Sequence, residues 1–112
     1  MKLDFKFSNG QMVTDKVSGI KGIIEQTTIM GTGNKQYSIQ PKSHDGIKRE
    51  DSWFIDEDSL EMEEGKSPIS SSYELAFEVN TKVIDKLTGF EGVITRIVID
   101  FNNCIRYLLT GS

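Results

Sequence analysis

Apolar and polar residues alternate from Leu3 to Phe7 and again from Tyr73 to Val79. In both stretches every second residue is apolar, and its neighbours are charged, polar or small. A period of two is typical of a β-strand that buries one face. The pattern therefore predicts that each stretch opens a small β-structure.

Three more apolar, β-branched runs follow each opening strand, and no segment has helical spacing with caps, so the chain is predicted to be all-β. Gly19 and Gly89 fit turns that need a positive φ, while Gly22 and Gly92, inside the next strand, indicate a bulge or sharp bend. Each half is predicted to be a four-strand meander. The later strands are expected at Gln11–Val17, Ile20–Met30 and Gln36–Gln40, and at Thr81–Leu87, Phe90–Asp100 and Arg106–Leu109.

The two halves are copies of one another. A shift of 70 positions aligns Leu3–Gln40, here named copy one, with Tyr73–Thr110, named copy two, without a gap. Such self-similarity indicates an internal duplication and predicts one fold for both copies. Nine aligned positions are identical: Phe7/Phe77, Val13/Val83, Asp15/Asp85, Lys16/Lys86, Gly19/Gly89, Gly22/Gly92, Ile24/Ile94, Ile29/Ile99 and Tyr37/Tyr107.

An insertion, Pro41–Ser72, separates the copies and is expected to add one or two closing strands to copy one, around Trp53–Ile55 and Ser59–Met62. Copy two has no counterpart of these strands, and a 40-residue module without a disulfide or metal is too small to stand alone. It must pack on copy one or on an identical chain. The prediction is a tandem duplicated small barrel, with a first module at residues 1–64, a linker at 65–72 and a shorter module at 73–112.

Charge and composition narrow the function classes. The net charge of −4 comes from residues 44–64, which carry nine acidic and two basic groups. Basic residues are not gathered along the whole chain as nucleic-acid binding would require. A nucleic-acid-binding module with a local basic patch at Lys16 and Lys21 is kept as the third of three functional hypotheses. No apolar run is long enough for a membrane span or signal peptide, which predicts a cytoplasmic protein. The chain has one cysteine, Cys104, and one histidine, His44. These are too few for an internal disulfide or for the ligands of a zinc site.

Two family resemblances follow from the stretch Asp15–Ile24 and its echo in copy two. With the strand Tyr37–Pro41 and the acidic Trp53–Glu57, this stretch resembles small uncharacterised proteins of bacteriophages and prophages that carry D-K-V-T-G-F-x-G-I-V. That resemblance implies a phage protein acting in the host cytoplasm. The turn glycine and bent strand also resemble KOW-type SH3-like barrels, which implies that the chain is a tandem duplicated SH3-like small barrel.

Candidate binding residues are the aromatic anchors and the charges beside them. Aromatic side chains could line a groove, although packing in a small core is the alternative. The acidic segment is either a solvated face or a mimic of nucleic-acid phosphates. No catalytic set, cofactor or metal is predicted. The binding set consists of Tyr37, Trp53, Phe54, Asp56, Glu57, Arg106 and Tyr107.

Three further motifs have structural explanations. The loop Gly31–Lys35 could hold a phosphate, but it lacks the following helix of such loops, so a hairpin turn is favoured. Asp15 and Asp85 are expected to stabilise their turns through side-chain to backbone hydrogen bonds. His44, predicted in a surface loop, and Cys104 have no nearby base partner, and neither is expected to act as a nucleophile.

Together these observations lead to a non-enzymatic phage protein that sequesters or inhibits a host protein or a small nucleotide-like ligand. A structural or assembly protein of the phage is the alternative hypothesis, and it would form a homo-oligomer through the open sheet edge of copy two.

Overall fold

The computed structural model describes residues 2–41 and 53–111, and no α-helix occurs among them, which confirms the all-β prediction. A single 3-10 turn spans Glu57–Ser59. The strands of this part of the chain are β1 (Lys2–Phe5), β2 (Met12–Asp15), β3 (Lys21–Met30), β4 (Lys35–Pro41), β5 (Trp53–Asp56), β6 (Leu60–Glu61), β7 (Ser71–Glu74), β8 (Lys82–Ile84), β9 (Glu91–Ile99) and β10 (Ile105–Gly111).

The three central strands have the same arrangement in both copies. In copy one β3 pairs with β2 and β4, and in copy two β9 pairs with β8 and β10, always antiparallel. Each hairpin skips one residue at the equivalent place, Glu25 in β3 and Thr95 in β9. The structure therefore repeats the duplication of the sequence, including its irregularities.

The glycines behave in two different ways. Gly19 and Gly89 have φ values of 76° and 74°, as predicted for the turn that precedes the long strand. The prediction of a bulge at Gly22 is wrong, because the register shift lies three residues later. A Cβ on Gly22 would lie 2.4 Å from the carbonyl oxygen of Gln40, so glycine allows the close approach of β4.

The opening strands do not join the meander of their own copy, and the predicted four-strand meander is wrong in this respect. β1 pairs with β7 in a separate two-stranded ribbon, so each opening strand pairs with its counterpart from the other copy. The apolar side chains of this ribbon, Leu3 and Phe5, are buried. Packing of that face against the cores of both copies is the physical reason for the exchange.

The two copies are related by a local two-fold axis. In the ladder between β3 and β9, Thr28 pairs with Val98, the residue 70 positions later. In the ribbon, Leu3 pairs with Tyr73, which is again its own counterpart. An antiparallel pair of equivalent residues is what a two-fold axis produces in a symmetric dimer. The chain thus has the symmetry of a dimer within one polypeptide.

A single core joins the copies, as expected if copy two packs on copy one. The rings of Phe5 and Phe7 each pack edge-to-face on Tyr37, with centroids 6.3 and 5.5 Å apart, and Phe5 also packs on Tyr73. Edge-to-face geometry is the favourable one for aromatic pairs. Buried members of this core from both copies include Val13, Ile24, Ile39, Leu75, Ile94, Ile97 and Ile99.

Copy one has a closing segment, defined here as Trp53–Met62, and copy two has none among the described residues. Within it β5 pairs with β4, and β6 pairs with β2, so the segment adds a strand to each edge of copy one. The prediction of one or two closing strands is therefore confirmed. No pairing between β5 and β6 occurs in the described residues, and the sheets remain open there.

Candidate functional site

The turn that follows β2 and β8 is built by an aspartate in each copy. The Asp15 carboxylate accepts hydrogen bonds from the Ser18 hydroxyl (2.8 Å) and the Val17 N–H (3.0 Å). These bonds hold the pKa of Asp15 below its usual value. Asp85 accepts a 2.9 Å bond from the Leu87 N–H in the same way, which also lowers its pKa. Both aspartates thus have the predicted structural role.

The closing segment docks on copy one through apolar and polar contacts. Ile55 and Leu60 are buried in the shared core. The Lys16 N–H donates to the Ser59 carbonyl oxygen over 2.8 Å, and the Lys6 N–H donates to the Glu57 carboxylate over 3.1 Å. The segment therefore satisfies backbone groups at two separate places on copy one.

Tyr37 lies at the centre of this closure. Its hydroxyl donates to Oε2 of Glu57 over 2.5 Å and accepts a 3.2 Å hydrogen bond from the Phe7 N–H. Burial, followed by the bond to Glu57, raises the pKa of Tyr37 well above its ordinary value. The phenol is therefore a hydrogen-bond donor to Glu57 at neutral pH.

Copy two presents the same groups without a closing segment. The Tyr107 hydroxyl accepts from the Ala76 N–H over 3.1 Å, and its ring packs on Phe77 with centroids 5.6 Å apart. Within residues 2–41 and 53–111, no acceptor is bonded to the Tyr107 hydroxyl. Phe77 is 46% exposed, whereas Phe7, its counterpart in copy one, is completely buried.

We name this surface the open site. Its backbone edges are the free sides of β8 and β10, each of which pairs only with β9 in the described structure. In copy one the equivalent edges are those that β6 and β5 occupy. The apolar side chains of the open site are Val83, Tyr107 and Leu109, which pack against the core, and Phe77, whose ring packs on Tyr107.

Five of the predicted binding residues lie in three places. Tyr37 and Glu57 are hydrogen-bonded to each other in copy one, and Tyr107 belongs to the open site. Trp53 and Phe54, on β5, are 45% and 52% exposed. Tyr37 is completely buried, which fits the alternative that an aromatic residue of this set packs in the core.

Asp56 and Arg106, the remaining predicted residues, are far apart. Cross-strand partners place them at opposite ends of one row that runs through Gln36, Thr28 and Val98. Four strand spacings separate them by about 19 Å. The Asp56 carboxylate accepts a 2.9 Å hydrogen bond from the Gln36 side-chain amide, so its hydrogen-bond partner is a residue of β4 and not Arg106.

Arg106 has a structural partner beside a surface groove. Its Nε lies 2.8 Å from Oδ2 of Asp100, and Oδ1 of Asp100 also accepts from the Gln26 amide over 2.8 Å. The groove, about 690 Å³, lies between the skipped residue of β3 and the turn after β9. Its lining consists of Ile23, Glu25, Gln26, Gln40, Asp100, Phe101 and Asn102.

The loop Gly31–Lys35 is a hairpin turn, as favoured. The Met30 N–H donates to the Asn34 carbonyl oxygen, and the Gly33 N–H donates to the Met30 carbonyl oxygen, both over 2.9 Å. The Lys35 ammonium donates to the Asp4 carbonyl oxygen. A polar cleft of about 290 Å³ separates this loop from the acidic turn Asp56–Ser59.

Sequence analysis did not name Phe77, Val83 and Leu109 as candidate binding residues. Phe77 is exposed, and Val83 and Leu109 are half-buried against the core. The alignment of the two copies could have indicated them, because it shows that copy two has no counterpart of the closing segment that covers the equivalent residues of copy one.

Other functional classes have few candidates in the described parts of the chain. Residues 2–41 and 53–111 contain no group of three potential metal ligands and no helix long and apolar enough to cross a membrane. His44 lies outside the described residues, and Cys104 is exposed just before β10. Comparisons with protein-family models, curated proteins and solved structures give no match to this chain.

Proposed function

We propose that this chain is a phage-encoded, non-enzymatic binding protein that sequesters or inhibits a component of the host cell. The observation that carries the proposal is the open site, where copy two leaves exposed the apolar surface that copy one covers. Exposed, contiguous apolar surface beside unpaired strand edges is typical of protein interaction sites. The sequence resemblance supplies the phage context and the host cytoplasm as the place of action.

We take each copy to be an SH3-like module, complete in copy one and incomplete in copy two. The strand order supports this assignment, because a 3-10 turn leads into a short last strand that returns to the first strand of the module. In this arrangement the missing part of copy two is its last two strands. A partner that supplies them would complete the module.

The alternative is a structural phage protein that assembles with itself. The free edges of β8 and β10 favour it, because an unpaired edge can add a strand from another copy. Sedimentation of the purified chain separates the two functions. A defined oligomer whose formation depends on the edge of β10 favours assembly, whereas a monomer that acquires mass only in host lysate favours capture.

The experiment for host binding is cross-linking and native mass spectrometry of the tagged chain in a bacterial host, with two matched variants. Phe77→Glu places a charge in the open site, and Val17→Glu places the same charge at an exposed apolar residue of copy one. We expect a specific partner to be lost with Phe77→Glu and retained with Val17→Glu. A partner retained by both variants, or no stoichiometric partner at all, contradicts the proposal.

A further inference from the structure

We infer that the open site binds an acidic strand–turn–strand segment of another protein, held by β8 and β10 and bonded through a carboxylate to Tyr107. This inference rests on the proposed binding function and names the chemistry of the partner. Copy one serves as the template, because it holds its own closing segment at the equivalent surface.

The apolar lining of the open site matches the template residue by residue. Phe77, Val83 and Tyr107 are identical to their counterparts in copy one, and Leu109 stands for Ile39. The edge-to-face geometry of Phe77 on Tyr107 also matches, with centroids 5.6 Å apart against 5.5 Å in copy one. A segment with apolar residues at the positions of Ile55 and Leu60 would fill the same space.

The backbone edges require an extended segment with a turn. In copy one a single segment of ten residues reaches both β4 and β2, through β5, a 3-10 turn and β6. The equivalent edges of β10 and β8 are unpaired in the described structure. A lone strand can satisfy one of these edges, but only a strand–turn–strand segment satisfies both.

Two features predict that the segment is acidic. In the template the Glu57 carboxylate accepts the hydrogen bond from the Tyr37 hydroxyl, and Tyr107 presents the equivalent donor. The edge of β8 also carries Lys82, and Lys86 follows it, both exposed. A carboxylate near these ammonium groups gains from complementary charge.

One position distinguishes the partner from the chain's own segment. Glu61 pairs with Thr14 in copy one, whereas copy two has Ile84 at the position of Thr14. Ile84 is 61% exposed, and an apolar residue opposite it would pack better than a glutamate. The partner is therefore expected to have an apolar residue where the closing segment has Glu61.

The number of sites also favours another protein over a second copy of this chain. Residues 2–41 and 53–111 contain one closing segment and two surfaces that fit such a segment. If a second copy donates its segment to the open site, its own copy one loses the segment. Exchange between copies therefore leaves as many unfilled surfaces as before.

The test uses a synthetic peptide with the sequence of residues 53–64, labelled for fluorescence anisotropy, and the full chain. We expect saturable binding that Tyr107→Phe weakens about tenfold, since hydrogen bonds to charged groups contribute about 1.5 kcal/mol or more. A peptide with Glu57→Gln should lose a similar factor. The combination of both changes should lose little more than either alone, because the two groups share one bond. The chain with Val17→Glu, at an exposed apolar residue in the turn after β2, is the control and should bind as the wild type does.

A second peptide, with Glu61→Val, should bind up to about fivefold more tightly, because a favourable cross-strand pair contributes up to about 1 kcal/mol. Absence of binding at millimolar peptide overturns the inference, as does binding that is insensitive to Tyr107→Phe. If the peptides fail while Phe77→Glu still abolishes capture of a host partner, the binding function stands and the acidic segment is wrong. If both fail, the binding function itself is wrong.

Discussion

The same substitution at equivalent tyrosines should have unequal effects on stability. Tyr37→Phe keeps the aromatic ring and its edge-to-face contacts but removes a hydroxyl that bonds to both Phe7 and Glu57. The buried Phe7 N–H then has no acceptor, which costs about 1–3 kcal/mol, and the bond to a carboxylate is lost as well. Because Glu57 is partly exposed and can be hydrated, we expect a total loss of about 2–4 kcal/mol.

Tyr107→Phe should cost much less. The Tyr107 hydroxyl accepts only from the exposed Ala76 N–H in the described structure, and water can replace it there. The net loss is about 0.5–1 kcal/mol, as for an ordinary hydrogen bond. The two variants should therefore differ by about 2 kcal/mol, which corresponds to roughly 10 °C in melting temperature for a domain of this size.

Urea unfolding followed by tryptophan fluorescence measures both losses. We expect the midpoint to fall strongly for Tyr37→Phe and weakly for Tyr107→Phe, with a similar m-value for each variant. Equal losses would refute the difference between copy one, which its closing segment covers, and the uncovered copy two. A larger loss for Tyr107→Phe would mean that other groups cover copy two.

Three further predictions concern the turns and the close strand contact. Gly19→Ala and Gly89→Ala should each destabilise the folded chain by about 1 kcal/mol, because both glycines have a positive φ and a Cβ there would meet no other atom. Unequal urea midpoints for the two variants would contradict this prediction. Gly22→Ala should lower the free energy of unfolding by about 3 kcal/mol and Gly92→Ala by less, because a Cβ at these positions would lie 2.4 and 2.9 Å from the nearest carbonyl oxygen. A larger loss of thermal stability for Gly92→Ala than for Gly22→Ala would refute the packing argument. The lowered pKa of Asp15 implies stability that is present above about pH 4 and lost as the pH falls through its folded pKa. When urea midpoints are measured from pH 2 to 7, the midpoint should therefore fall less steeply at acid pH for Asp15→Asn than for the wild type. An unchanged acid dependence would contradict this prediction.

Much of the fold was predictable because its determinants are local. The strands β3 and β4 begin and end within one residue of the predicted Ile20–Met30 and Gln36–Gln40. The aspartate turn was predictable too, since Asp15 bonds to groups two and three residues away. Period-two alternation and turn chemistry act within such short distances along the chain.

The pairing of β1 with β7 could not be predicted in this way. Both strands have the alternation of ordinary meander strands, and nothing in Leu3 or Phe5 specifies a partner 70 residues away. Their placement depends on burial against Tyr37 and Tyr73, which is a property of the assembled core. The exposure of Phe77 has the same origin, because it depends on which copy receives the closing segment.

The way the copies are joined explains why the open site persists. Two strand contacts join the copies, the ladder of Thr27–Met30 with Arg96–Ile99 and the ribbon of β1 with β7. Neither β8 nor β10 pairs with a strand of copy one in the described structure. Copy one carries its closing segment on β2 and β4, and the equivalent edges of β8 and β10 are unpaired in the described residues. The binding proposed for the open site therefore requires no strand of copy one to be displaced.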